Sequence, residues 1–164
     1  DPTQIVKKYL QWANDYQEDQ VTIVYDTMWE GTKMMAEAIA DGIGRVSKNT
    51  ALKLYNAGKT DKNDIVTEIF KSKAVLFGSP TVNKGILAPL SGMLHEVKGL
   101  AFKNKKAAVF GTYGWSGESV EVLGKMVEEA GFEVVQAGLK KMWSPDDANL
   151  TDCREFGSEF ASML

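Results

Sequence analysis

The sequence predicts an α/β domain: a three-layer, doubly wound arrangement with a parallel five-stranded sheet in the order 2-1-3-4-5. Three observations predict it. Short β-branched or apolar runs alternate with segments of helical spacing along the 164 residues, and such alternation gives parallel strands joined by right-handed crossovers. The runs at 21–25 and 74–77 are β-branched or apolar enough for strands covered on both faces, with 52–55 a weaker run. The loops after the first, third and fourth strands carry Gly and small hydroxyl residues, and in such sheets ligands sit off the carboxyl ends of the strands, at the switch point.

Each element follows from its own residues. Ile5, Val6, Tyr9, Leu10, Ala13 and Tyr16 recur near helical spacing over 1–17, with Pro2 suited to a first turn. The polar stretch 17–20 then makes 1–20 a linker helix, ahead of a domain at 21–164. The chain opens on Asp1 rather than Met, which reads as a piece of something longer. Strands are expected at 21–25, 52–55, 74–77, 107–110 and 132–135. Between them, helices are expected at 31–43, closed by Gly42 or Gly44, at 61–70 with Asp61 as cap, at 87–97 and at 116–130. Pro145, Asp146 and Asp147 open a last helix, to about Met163.

Composition removes several function classes. A net charge of -3 gives no basic footprint, so nucleic acid is not an expected partner. No apolar run approaches the roughly 20 residues that span a bilayer, and the polar start carries no secretory signal. The single thiol, Cys153, forms no internal disulfide and suits a reducing cytoplasm. With His95 the only histidine, a transition-metal centre or a Ser-His-Asp triad within this chain is not expected. His95 reads as a structural or surface residue in the middle of its helix.

The loop after the first strand runs through Asp26, Thr27, Met28, Trp29, Glu30, Gly31 and Thr32 straight into a helix. Hydroxyls at Thr27 and Thr32 beside a helix N-terminus supply donors and a dipole for a phosphate monoester with no metal; either threonine could instead only cap the helix. The second loop, Ser79, Pro80, Thr81, Val82 and Asn83, follows Gly78. The third, Gly111, Thr112, Tyr113, Gly114, Trp115, Ser116 and Gly117, adds flat faces that can cover an aromatic ring system. One such loop is an ordinary tight turn. Three at one end of a sheet point to a ligand.

Rival motifs fail on their letters. Gly111, Gly114 and Gly117 lack the spacing of the dinucleotide fingerprint. The run 114–118 resembles a nucleophile elbow, but Glu118 stands where the final Gly belongs. A phospho-acceptor domain of this topology needs an Asp where Gly78 and Ser79 stand.

At these three loops the sequence resembles the C-terminal flavodoxin-like domain of flavodiiron proteins (A-type flavoproteins), the family of rubredoxin:oxygen oxidoreductase and flavorubredoxin. Residues 25–32, 78–83 and 110–117 resemble its three flavin loops, and the likeness extends over essentially the whole chain. The resemblance implies a flavodoxin-like fold that holds FMN non-covalently. Thr27, Met28, Trp29, Glu30, Gly31 and Thr32 would wrap the phosphate. Ser79, Pro80, Thr81, Val82 and Asn83 would line the ribityl chain and one side of the isoalloxazine. Thr112, Tyr113, Gly114, Trp115 and Gly117 would cover the other side, with Gly111 and Ser116 in the same loop. Ordinary flavodoxins carry a Thr-x-Thr-Gly-Asn-Thr phosphate loop, and Trp29, Glu30 and Gly31 depart from it, so Glu30 is expected to point to solvent. Lys84 could reach the pyrimidine end of the ring, though a solvated loop lysine is the commoner outcome. Also implied are a redox donor (rubredoxin, or an NADH- or deazaflavin-dependent partner), a metallo-β-lactamase-like di-iron domain outside this chain, and a head-to-tail homodimer of the full-length protein. The implied activity is electron transfer for oxygen or nitric oxide reduction. A stand-alone flavin NAD(P)H:quinone oxidoreductase and a flavodoxin-fold interaction module without cofactor are the alternatives.

Overall fold

In the computed structural model, which describes residues 1–14 and 16–164, β1 (Glu18–Tyr25) sits between β2 (Ala51–Asn56) and β3 (Ser72–Gly78), and β4 (Lys106–Tyr113) lies beyond β3. All pairings are parallel. The order 2-1-3-4-5 is the one expected, but the fifth lane holds two short strands. β5 (Glu133–Val134) pairs the start of β4, and β6 (Leu139–Met142) pairs its end, Phe110 to Tyr113. The sixth strand corrects the count of five.

Alternate residues of each strand serve opposite faces. Ala74 and Leu76 of β3 join Ala108 and Phe110 of β4 under α2 (Gly31–Val46) and α6 (Asp147–Ser162). Val75, Phe77, Ala107 and Val109 pack instead against α3 (Lys62–Lys71), α4 (Ala88–Leu100) and α5 (Ser119–Glu129). Phe77 and Phe110 are fully buried on opposite faces, each worth about 1.5–3 kcal/mol relative to exposure. The α2–α6 crossing is close because both helices place a glycine in it. A Cβ on Gly42 would lie 2.0 Å from the Arg154 carbonyl oxygen, and one on Gly157 would lie 2.2 Å from that of Ile39.

Several boundaries move. α1 (Pro2–Ala13) ends before Tyr16, whose hydroxyl donates to Glu18 Oε1 at 2.8 Å. Its apolar residues Ile5, Val6, Tyr9 and Leu10 are exposed, and Trp12 meets Phe70 edge-on with centroids 6.2 Å apart. The sheet takes in residues 18–20 of the stretch read as linker. There Gln20 is buried, its amide donating to Glu68 Oε2 at 2.9 Å and Ser72 Oγ at 3.0 Å, so the polarity is satisfied by partners distant in sequence. β4 runs three residues past its expected end, through Tyr113, and α5 begins at Ser119 rather than Ser116. The predicted Asp61 cap accepts from the Asn63 amide at 2.8 Å, and Asp146 caps α6 by accepting from the Asn149 amide at 2.8 Å, whereas α2 does not close at Gly42 or Gly44 but runs on through Val46.

Candidate functional site

Backbone hydrogen bonds continue past the strand ends and preset the loops above them. The amides of Asp26, Ser79, Thr81 and Trp143 donate to the carbonyls of Gly78, Phe110, Thr112 and Tyr113, at 2.8–3.2 Å. A cleft of about 360 Å³ opens between these loops, within the range of small-molecule sites. Met28, Trp29, Gly31, Pro80, Thr81, Thr112, Tyr113, Gly114 and Trp115 line it, all from the three predicted loops.

Its inner end is the start of α2. Glu30 adopts the left-handed conformation (φ 63°) at the N-cap and makes no side-chain cap. Among the described residues the start of α2 thus has no side-chain cap for its first amides, the arrangement that favours an anion. Glu30 itself turns outward, as expected, and pairs with Lys33 Nζ at 2.9 Å, with about half of its side chain exposed. That hydrogen bond holds its carboxyl below the usual range. Thr27 Oγ1 is buried and has no hydrogen-bond partner among the described residues. Thr32 Oγ1 is also buried but lies 2.9 Å from Thr112 Oγ1, tying the first loop to the third. Behind the loop, Asp26 Oδ1 accepts the Thr27 amide at 2.9 Å, and burial pushes this carboxyl up.

Other predicted residues support the cleft without lining it. Ser79 Oγ donates to the Pro80 carbonyl at 2.9 Å and accepts the Leu87 amide at 3.1 Å. Val82 and Gly85 bond reciprocally across a tight turn whose tip is Asn83 (φ 48°) and Lys84 (φ 59°), both exposed; neither side chain lines the cleft. Gly111 lies against Ser79, whose carbonyl oxygen would be 2.2 Å from a Cβ there. Gly117 needs its φ of 76°, and Tyr113 packs over it. Ser116 Oγ donates to Glu118 Oε2 at 2.6 Å, away from the cleft. His95 is exposed on α4.

The fourth wall was not expected. Trp143 and Ser144 line the cleft from the segment after β6. Trp143 is left-handed (φ 57°), and its indole lies edge-on to Trp115 with centroids 5.6 Å apart. Gly114 makes room for it, since a Cβ there would be 3.1 Å from that ring. The available signal was an aromatic residue just ahead of the Pro145 helix start, but only β6 brings it to this end of the sheet. Among the described residues no group of His, Cys, Asp and Glu is placed to hold a metal ion, and no helix is long and apolar enough to cross a membrane.

A sheet of this order with an uncapped helix start and an aromatic slot defines a flavodoxin-type domain. The flavodoxin family matches residues 23–157. This chain belongs to that family, as the flavodoxin-like domain of flavodiiron proteins. It is 47% identical over 161 residues to the anaerobic nitric oxide reductase flavorubredoxin of Aeromonas hydrophila, with 98% of this chain and 32% of that protein covered. It is 49% identical over 160 residues to the flavorubredoxin of Escherichia coli O1:K1, covering 98% and 33%. It superposes on rubredoxin oxygen:oxidoreductase of Desulfovibrio gigas with a TM-score of 0.92 and 33% identity, over 98% of this chain and 40% of that one. A flavodoxin from the Archaea gives a TM-score of 0.77 at 28% identity, over 88% of this chain and 97% of that one. The chain thus spans about a third of the length of the flavorubredoxins it matches.

Proposed function

We propose that the cleft holds one FMN and that the domain relays electrons to a reductase centre elsewhere in a longer protein. The observation that carries the reading is Thr27 Oγ1, a hydroxyl buried with no partner among the described residues, in the loop that leads into α2, whose start has no side-chain cap. Left so, it would cost about 1–3 kcal/mol. A phosphate oxygen accepting from it, and from the first amides of α2, would remove that cost and meet the positive end of the helix dipole.

The remaining residues fit the rest of FMN. Gly31 leaves the helix start open, with Thr112 Cγ2 and Pro145 Cδ at 3.3 and 3.4 Å from where a Cβ would be. The pairing of Glu30 with Lys33 keeps its carboxylate turned from the phosphate. Tyr113, Trp115 and Trp143 form flat walls for the ring and exclude water from it. When bound, FMN supplies one- and two-electron redox chemistry at its ring. Trp115, 90% exposed at the mouth, marks the side from which a partner approaches.

The names of the relatives support the wider assignment. Flavorubredoxin and rubredoxin oxygen:oxidoreductase point to rubredoxin as electron donor and to oxygen or nitric oxide as final acceptor. In a flavodiiron parent the acceptor's di-iron site would lie outside this chain, a reading that its single histidine supports.

The test is a visible absorption spectrum before and after adding FMN and desalting. About one FMN retained per chain supports the assignment. A chain that stays colourless after desalting refutes it.

A further inference from the structure

Ser119 opens α5 and belongs to none of the loops that line the cleft, yet it is bonded twice to one residue that does. Thr81 Oγ1 donates to Ser119 Oγ at 3.0 Å, and the Ser119 amide donates back to Thr81 Oγ1 at 3.2 Å. Ser119 is 1% exposed. Its hydroxyl lies against Gly111, where a Cβ would be 2.9 Å from it. Thr81 is fixed from a second side by its own amide, which donates to the Thr112 carbonyl at 2.8 Å.

A threonine hydroxyl has one proton and two lone pairs. In Thr81 the proton and one lone pair are both committed to Ser119, which leaves a single lone pair for the cleft. We infer that Ser119 is a positioning residue, holding Thr81 as an acceptor-only group toward the bound cofactor. A cofactor atom that meets Thr81 must then be an N–H or O–H, which on FMN means a ring N–H or a ribityl hydroxyl. Ser119 touches no cofactor itself; it sets the polarity of a residue that does.

The inference rests on the FMN reading, and its test separates the two. Apoprotein is titrated with FMN and with riboflavin, in wild type, Ser119→Ala, Thr81→Val and the double variant. Thr81 belongs to the loop after β3 and is not one of the donors at the α2 start, so Ser119→Ala should weaken both flavins alike, by about five- to tenfold. Thr81→Val should cost about as much, and adding Ser119→Ala to it should cost nothing further. A packing role for Ser119 would instead give additive losses, and additive losses overturn the inference. Should Ser119→Ala fail to fold, Ser119→Cys keeps the volume with a poorer acceptor. Made alone, Ser119→Cys should lose affinity; added to Thr81→Val, it should lose none. Equal loss in both settings overturns the inference. Wild type that binds neither flavin overturns the FMN reading and this inference with it.

Discussion

Thr27→Val should move apoprotein stability and FMN affinity in opposite directions. Valine keeps the branched shape of threonine and exchanges the hydroxyl for a methyl. In the apoprotein Thr27 Oγ1 is buried with no partner among the described residues, so its removal relieves a penalty of about 1–3 kcal/mol. With FMN bound, the same hydroxyl donates to a charged oxygen, a bond worth about 1.5–3 kcal/mol, so the relief in the apoprotein and the loss in the complex add to about 2.5–6 kcal/mol, and Kd for FMN should rise by about 70-fold or more. Riboflavin lacks the phosphate, and its affinity should stay at the wild-type value. Flavin fluorescence titration reads the two affinities, and urea unfolding with linear extrapolation reads apoprotein stability. Wild-type FMN affinity in the variant would break the link between this hydroxyl and the phosphate. Equal losses for FMN and riboflavin would place Thr27 elsewhere along the cofactor. A less stable apoprotein would show that the hydroxyl is paired after all.

The remaining predictions concern the walls and the first loop. Gly114→Ala puts a Cβ 3.1 Å from the Trp143 ring on a backbone that accepts alanine; it should displace the indole, weaken both flavins by about tenfold, and leave the circular dichroism spectrum unchanged. Burial raises the Asp26 carboxyl above its ordinary 3.8, so its contribution to stability is full below that pH and is lost as pH rises through the raised native value. Asp26→Asn keeps an oxygen for the Thr27 amide, and in urea unfolding it should gain on wild type as pH rises across that window, with no gain below it. Glu30→Gly suits a φ of 63°; relief of left-handed strain less the extra unfolded-state entropy leaves about 0.5 kcal/mol of added stability. The same change removes a carboxylate near the phosphate, and FMN affinity should rise more at low salt than at high.

Much of the fold was legible where no tertiary partner was needed to read it. The runs at 74–77 and 107–110 are apolar throughout because each residue meets one helical layer or the other. Gln20 reads as linker in the sequence because what makes it a strand residue is a pair of acceptors on Glu68 and Ser72. β6 was hidden by Lys140 and Lys141, residues that an edge strand tolerates and a central one does not. In the site, loop composition was enough to find the cleft, since glycine and small hydroxyls are what close approach requires. Side-chain direction was not legible: Thr32 and Ser79 carry the expected hydroxyls, but one pairs with Thr112 and the other anchors Leu87.

The split edge lane is what gives the cleft its fourth wall. A single straight strand continuing from β5 would pair β4 throughout and leave its end with no room for a turn inward. Instead the chain breaks after Val134 and passes Gly138 hard against β4 and α5, where a Cβ would lie 2.2 Å from Val120 Cγ1 and 2.9 Å from Val109 Cγ2. It then resumes as β6 beside Phe110 to Tyr113. β6 therefore ends level with β4, and the Trp143 amide reaches the Tyr113 carbonyl at 2.8 Å. The left-handed turn at Trp143 swings its indole over Gly114, and Pro145 follows against Gly31 at the start of α2. One irregularity at the sheet edge thus joins the aromatic end of the cleft to the start of α2, and a larger residue at Gly138 would disturb both although it touches neither.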